Sequence, residues 1–188
     1  MDAVLVELLE VVVWLDHRAV ELMLAIRHPV VTKVLTSVTG LGSATAALVF
    51  LGVCRLAGWT DELRSAGIAL GLAGIAVLAL MWTIRRPFPP EPVCLTDGSP
   101  TVATSFPSGH AAVVAVYAMT ARRSAVVPVA PVAVLAAAVA VSRVYLGTHY
   151  ASDTLAGLVI GVCAFVLALR LRERFDLDAA VAGLRSRQ

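Results

Sequence analysis

A chain of 188 residues in which 59% of side chains are hydrophobic and 15% charged carries more apolar surface than one soluble globule of that length can bury. The composition excludes a disordered tail or a solvated linker and points to one compact domain in a lipid bilayer. The net charge of +2, with arginines scattered rather than striped, argues against nucleic acid as a partner. In chain order, residues 1–27 are apolar but interrupted by Glu7, Glu10, His17, Arg18 and Glu21. These gather on one side of a helix, so the segment is expected to be an amphipathic helix lying in the membrane interface. Residues 28–172 are expected to form an all-α transmembrane bundle of about five spans. Four stretches, 31–53, 65–84, 124–141 and 151–169, approach the roughly 20 apolar residues that cross a hydrocarbon core of about 30 Å. A shorter one, 109–121, begins after Pro107 and Ser108 and stops at Arg122 and Arg123. Between the second and third spans, residues 85–107 hold six of the nine prolines and cannot be a helix; a connector or a lid over the site both fit. Residues 173–188 are a polar tail. Cys54, Cys94 and Cys163 have no metal-like spacing, and Cys94 reads as incidental.

Five antiparallel crossings put the chain near 30, 85–108 and 142–150 on one face, and 54–64, 122–123 and the tail on the other. The second face carries more arginines, so the positive-inside rule predicts a cytoplasmic tail in the cell membrane and an extracytoplasmic first face. Ionisable residues concentrate on that first face, where membrane packing does not ask for them. His149 and Asp153 stand four apart at the start of the last span. On one helical face, Asp153 can accept from one ring nitrogen of His149 and leave the other free as nucleophile or base. Ser108 and Gly109 open the third span, where unpaired amides and the helix dipole favour an anion. Arg86 and Arg143 supply forked donors for phosphate oxygens, and His110 can protonate a leaving oxygen. Arg85 is open between a phosphate ligand and a solvated flank. His17, His28, Tyr145, Trp59 and Trp82 read as interfacial residues.

Arg86-Pro87, then Pro107-Ser108-Gly109-His110, then Ser142-Arg143, His149 and Asp153 resemble the three-part signature of the type 2 phosphatidate phosphatase superfamily. Nineteen residues separate the first two parts and 31 the last two. The signature's lysine, seven residues before the arginine, is replaced by Ala79. The resemblance implies that His149 attacks phosphorus to form a phosphohistidine, oriented by Asp153, while His110 donates the proton. Arg86, Ser108, Gly109 and Arg143 hold the phosphate, with no metal and no cofactor. A lipid phosphate, monoester or pyrophosphate, is the implied substrate, since a site at helix ends is open to a headgroup whose tails stay in the bilayer. The alternative is a non-catalytic carrier or scaffold that keeps a phosphate-binding site.

Overall fold

A computed structural model describes residues 3–93 and 104–175. Cys94, Pro100 and the greater part of the polar tail, with Arg185 and Arg187, lie outside the described residues. Among those described there are seven α-helices and no strand. They are α1 (Ala3–Ala25), α2 (Pro29–Thr39), α3 (Ala44–Leu56), α4 (Thr60–Thr83), α5 (Gly109–Arg123), α6 (Val129–Tyr145) and α7 (Ala151–Phe175). By length and composition α4 and α7 are long and apolar enough to cross a membrane, and α2 with α3 makes a third crossing if the bent pair is one span. Helix α6 is apolar but shorter.

Two helices depart from the expected boundaries for local reasons. The stretch 31–53 is two helices bent by 58°. Gly40–Gly42 forms a 3-10 turn after α2, and Ser43 restarts the chain by accepting the Ala46 amide on its hydroxyl. The stretch 124–141 becomes helical only from Val129. Ser124 accepts the amides of Val126 and Val127 in a turn, and Pro128 is the N-cap of α6, where its fixed φ suits a helix start.

Helix α5 sits at the centre, with Ala111, Ala112, Val114, Ala115 and Val116 buried. Its tightest neighbour is α7. A Cβ on Gly157 would overlap the Ser108 carbonyl oxygen, and one on Gly161 the Ala112 carbonyl. This Gly-x-x-x-Gly spacing lets two backbones touch, the packing that membrane helices use when no water is available to drive association. The seam continues through Phe165 and Ala168, which pack with Val116, Ala66 and Ala69.

Polar clusters close the two ends of the bundle. At the end formed by the α4 N-terminus and the α7 C-terminus, Arg172 pairs with Asp61 at 2.7 Å and with the Ser65 hydroxyl, while Ser124 donates to Glu62 at 2.6 Å. Helix α1 docks at the other end. Its apolar residues from Val4 to Leu15 are exposed, and Asp16 and Val20 are its buried residues.

Candidate active site

Three distant segments meet at that second end. The proline-rich chain after α4 is fastened to the segment before α5 by hydroxyls that replace missing backbone partners. The Arg86 amide donates to Thr104 Oγ1 at 3.0 Å and Thr104 donates to the Ile84 carbonyl at 2.9 Å. The Ser105 amide donates to the Arg86 carbonyl at 2.8 Å, and its hydroxyl to the Pro87 carbonyl at 3.0 Å.

The end of α6 supplies the second segment. Gly147 adopts φ +68, a left-handed conformation that terminates a helix and turns the chain back on its last carbonyls. The amides of Thr148 and His149 both donate to the Arg143 carbonyl at 3.2 Å. Arg143 and His149, six residues apart, are thereby locked together. The buried Arg143 guanidinium reaches across to Thr39 Oγ1 at 2.9 Å.

The N-terminus of α5 is the third segment. Ser108 is fully buried; its amide donates to the Asp153 carbonyl at 3.1 Å and its hydroxyl accepts the Ala111 amide at 3.4 Å. The Ser108 and Ala111 amides are thus engaged within the structure. The amides of Gly109 and His110 are the first-turn donors with no acceptor inside the helix.

His149 is buried, in the loop before α7. Its Nδ1 lies 2.5 Å from the Ser105 carbonyl. A carbonyl only accepts, so Nδ1 carries the proton and Nε2 carries the lone pair. Burial pushes the imidazole pKa down to about 3; the charges of Arg143 and His110 act in the same direction, while the Ser105 carbonyl opposes them. The ring is neutral at pH 7.

The expected contact from Asp153 to His149 is not made. Helix α7 starts at Ala151, so His149 precedes the helix and the one-face rule for residues four apart does not apply. Asp153 instead accepts the Tyr150 amide at 2.8 Å, capping α7, and the Arg86 guanidinium at 2.6 Å. Ser105, not Asp153, fixes the tautomer. Arg86 also differs from expectation: its fork grips Asp153 and, at 2.7 Å, Asp16, while it stacks 4.0 Å from the centre of the Tyr150 ring. Burial disfavours its charge, but hydrogen bonds and charges from Asp16 and Asp153 outweigh this and raise its pKa. Arg85 is exposed on the flank. Tyr145 is buried rather than interfacial, its hydroxyl accepting the His28 amide at 2.8 Å.

His110 stands on the first turn of α5, pressed against the bend between α2 and α3: a Cβ on Gly42 would lie 2.9 Å from His110 Cβ. It also lines, with Gly109, an apolar cavity of about 600 Å³ between α3, α4 and α5, walled by Leu48, Leu51, Val77 and Leu78. Asp16, Ser105 and Thr39 are site residues that sequence reasoning missed. Asp16 alone left a trace, an acid between Leu15 and His17 among the charged residues that interrupt α1. Among the described residues no group of three His, Cys, Asp or Glu side chains is placed to hold a metal ion.

The sequence pattern of the PAP2 superfamily matches residues 62–176. The chain belongs to the PAP2 superfamily. This is the type 2 phosphatidate phosphatase group that its motifs resemble. Decaprenylphosphoryl-5-phosphoribose phosphatase of Mycobacterium tuberculosis, matched in two strains, is 32% identical over 114 residues, or 61% of this chain and 63% of the relative. The chain thus spans less than two thirds of the length of the curated relatives it matches. Two solved structures are similar in fold. Aquifex aeolicus LpxE superposes with a TM-score of 0.69 at 22% identity, over 80% of this chain and 92% of that one. The transmembrane PAP2 type phosphatidylglycerolphosphate phosphatase from Bacillus subtilis gives 0.73 at 24%, over 85% of each. With its long apolar helices, this PAP2 member is an integral membrane protein of a phosphatase family. The superfamily match leaves α1, α2 and α3 outside it.

Proposed function

We propose that this PAP2 protein hydrolyses a lipid phosphate, monoester or pyrophosphate, through a phosphohistidine on His149, without a metal, at the extracytoplasmic face of a five-span bundle. The observation that carries this reading is the neutral, buried His149, held by Ser105 through Nδ1 and locked to Arg143. Its Nε2 lone pair attacks phosphorus, and the bond from phosphorus to the lipid oxygen breaks as His110 gives that oxygen a proton. The imidazolium that forms keeps its Nδ1 proton on the Ser105 carbonyl, so the new positive charge meets an acceptor already in place. Neutral His110 then takes a proton from water, the resulting hydroxide displaces His149, and inorganic phosphate leaves. Arg143 and the amides of Gly109 and His110 offset charge on the transferring phosphoryl group. Ser108 and Asp153 brace α5 against α7, and Arg86 joins that brace.

The cavity beside His110 supports a lipid substrate, because an apolar groove at the proton donor suits a leaving group attached to a hydrocarbon chain. The matched relative named for a decaprenyl-linked phosphate favours a polyprenyl carrier over a diacyl one. Purified protein in detergent with a chelator is expected to release phosphate from a polyprenyl phosphate faster than from phosphatidate or a water-soluble ester. Radiolabelled substrate is expected to leave an acid-labile, base-stable label on the protein. Binding without release would favour the carrier reading, and inhibition by the chelator would overturn the metal-free mechanism.

A further inference from the structure

We propose that Asp16, on α1 and outside the superfamily match, is a positioning residue of the phosphatase site. It holds Arg86 and the first turn of α7 in the geometry on which the His149 loop depends. The inference rests on the phosphatase reading above.

Asp16 is 2% exposed, although its neighbours Trp14 and Leu15 face outward. A buried carboxylate is costly unless fully paired, and this one is. One oxygen accepts the Ser152 amide at 2.9 Å; the other accepts the Ser152 hydroxyl at 2.5 Å and Arg86 at 2.7 Å. Arg86 in turn donates to Ser152 at 2.8 Å and to Asp153 at 2.6 Å. The partners of Asp16 therefore include Ser152, three residues after His149. Arg86 acts as a bolt between two carboxylates, one from α1 and one from α7, with the Tyr150 ring beneath it. Asp153 is 0% exposed and caps α7 through the Tyr150 amide. Removal of Asp16 leaves Arg86 held from one side, and the Tyr150–Asp153 turn loses its outer support. His149 immediately precedes that turn, and the Asp153 carbonyl holds Ser108 at the start of α5. Asp16 thus acts on both helix starts through other residues.

The test uses full-length protein in detergent, with phosphate release from a polyprenyl phosphate and inhibition by vanadate, a mimic of the transferring phosphoryl group, as readouts. Asp16→Asn keeps the shape and an acceptor for the Ser152 amide but loses the charge on Arg86. It is expected to lower kcat/KM about tenfold and weaken vanadate by a similar factor, the loss that accompanies a hydrogen bond to a charged group. Asp16→Ala is expected to lose about a hundredfold. Added to Arg86→Gln, Asp16→Asn is expected to cause no further loss, because both changes break one linkage. Wild-type kcat/KM and vanadate sensitivity in Asp16→Asn would overturn the proposal. So would a loss additive with Arg86→Gln, or one matching only the folded fraction. A wild-type protein that releases no phosphate would instead sink the phosphatase reading. In that case vanadate binding by calorimetry decides the role of Asp16: weaker binding in Asp16→Asn supports it, equal binding refutes it.

Discussion

Each end of the bundle is closed by an arginine gripping a carboxylate and a serine, yet the two clusters live in different surroundings. Around Arg86, Asp16 and Asp153 are 2% and 0% exposed. Around Arg172, the partner Asp61 is 71% exposed. Water can replace a lost partner at the second end but not at the first. A broken buried pair typically costs about 3–5 kcal/mol, whereas an exposed pair contributes roughly 0–1 kcal/mol. The Arg172 cluster therefore reads as an anchor, while the Arg86 cluster holds a geometry.

The sharpest way to break the comparison is at the site end. His149→Ala is expected to reduce phosphate release to background and abolish the covalent label, while the purified protein elutes as wild type does. Next comes the α5–α7 seam, which carries the site's geometry inward. Gly157→Ala drives a methyl into the Ser108 carbonyl, and the overpacking is expected to cost about 1–3 kcal/mol in thermal unfolding. A drop in kcat/KM of about tenfold should accompany it, and unchanged kinetics would show that the seam and the site are independent.

Acid separates the two ends more gently. His149 has a folded-state pKa of about 3, below the ordinary value near 6.5, so the unfolded chain binds its proton first as pH falls. Its contribution to stability is complete above about pH 6.5 and is lost progressively toward pH 3. The unfolding midpoint is expected to fall through that window, and His149→Gln should flatten the slope. The smallest effect belongs to the open end: Asp61→Asn is expected to shift stability by less than about 1 kcal/mol and leave kcat/KM unchanged. A large loss there would erase the distinction drawn between the clusters.

The helical class and the meeting of Arg143, His110 and His149 at one end were legible in the sequence, because hydropathy marks apolar helices and the motif residues are chemically out of place among them. The partners were not. Hydropathy averages over a window and passes smoothly through Gly40 to Ser43, where backbone freedom and a cap split one apolar stretch into two helices. The pairing of His149 with Asp153 assumed a helix already formed at residue 149, but the turn at Gly147 delays it to Ala151. The tie between Asp16 and Arg86 joins residues 70 positions apart, a separation that no local period encodes.

The near-contact of Gly42 with His110 binds two coordinates into one. The bend that sets the slope of α3, and with it one wall of the apolar groove, rests on the backbone that carries His110. Groove width and the direction of the His110 imidazole are therefore coupled. A change in the wall also turns the imidazole, and on the proposed reading the shape of a lipid tail would tune the rate of a step at its headgroup.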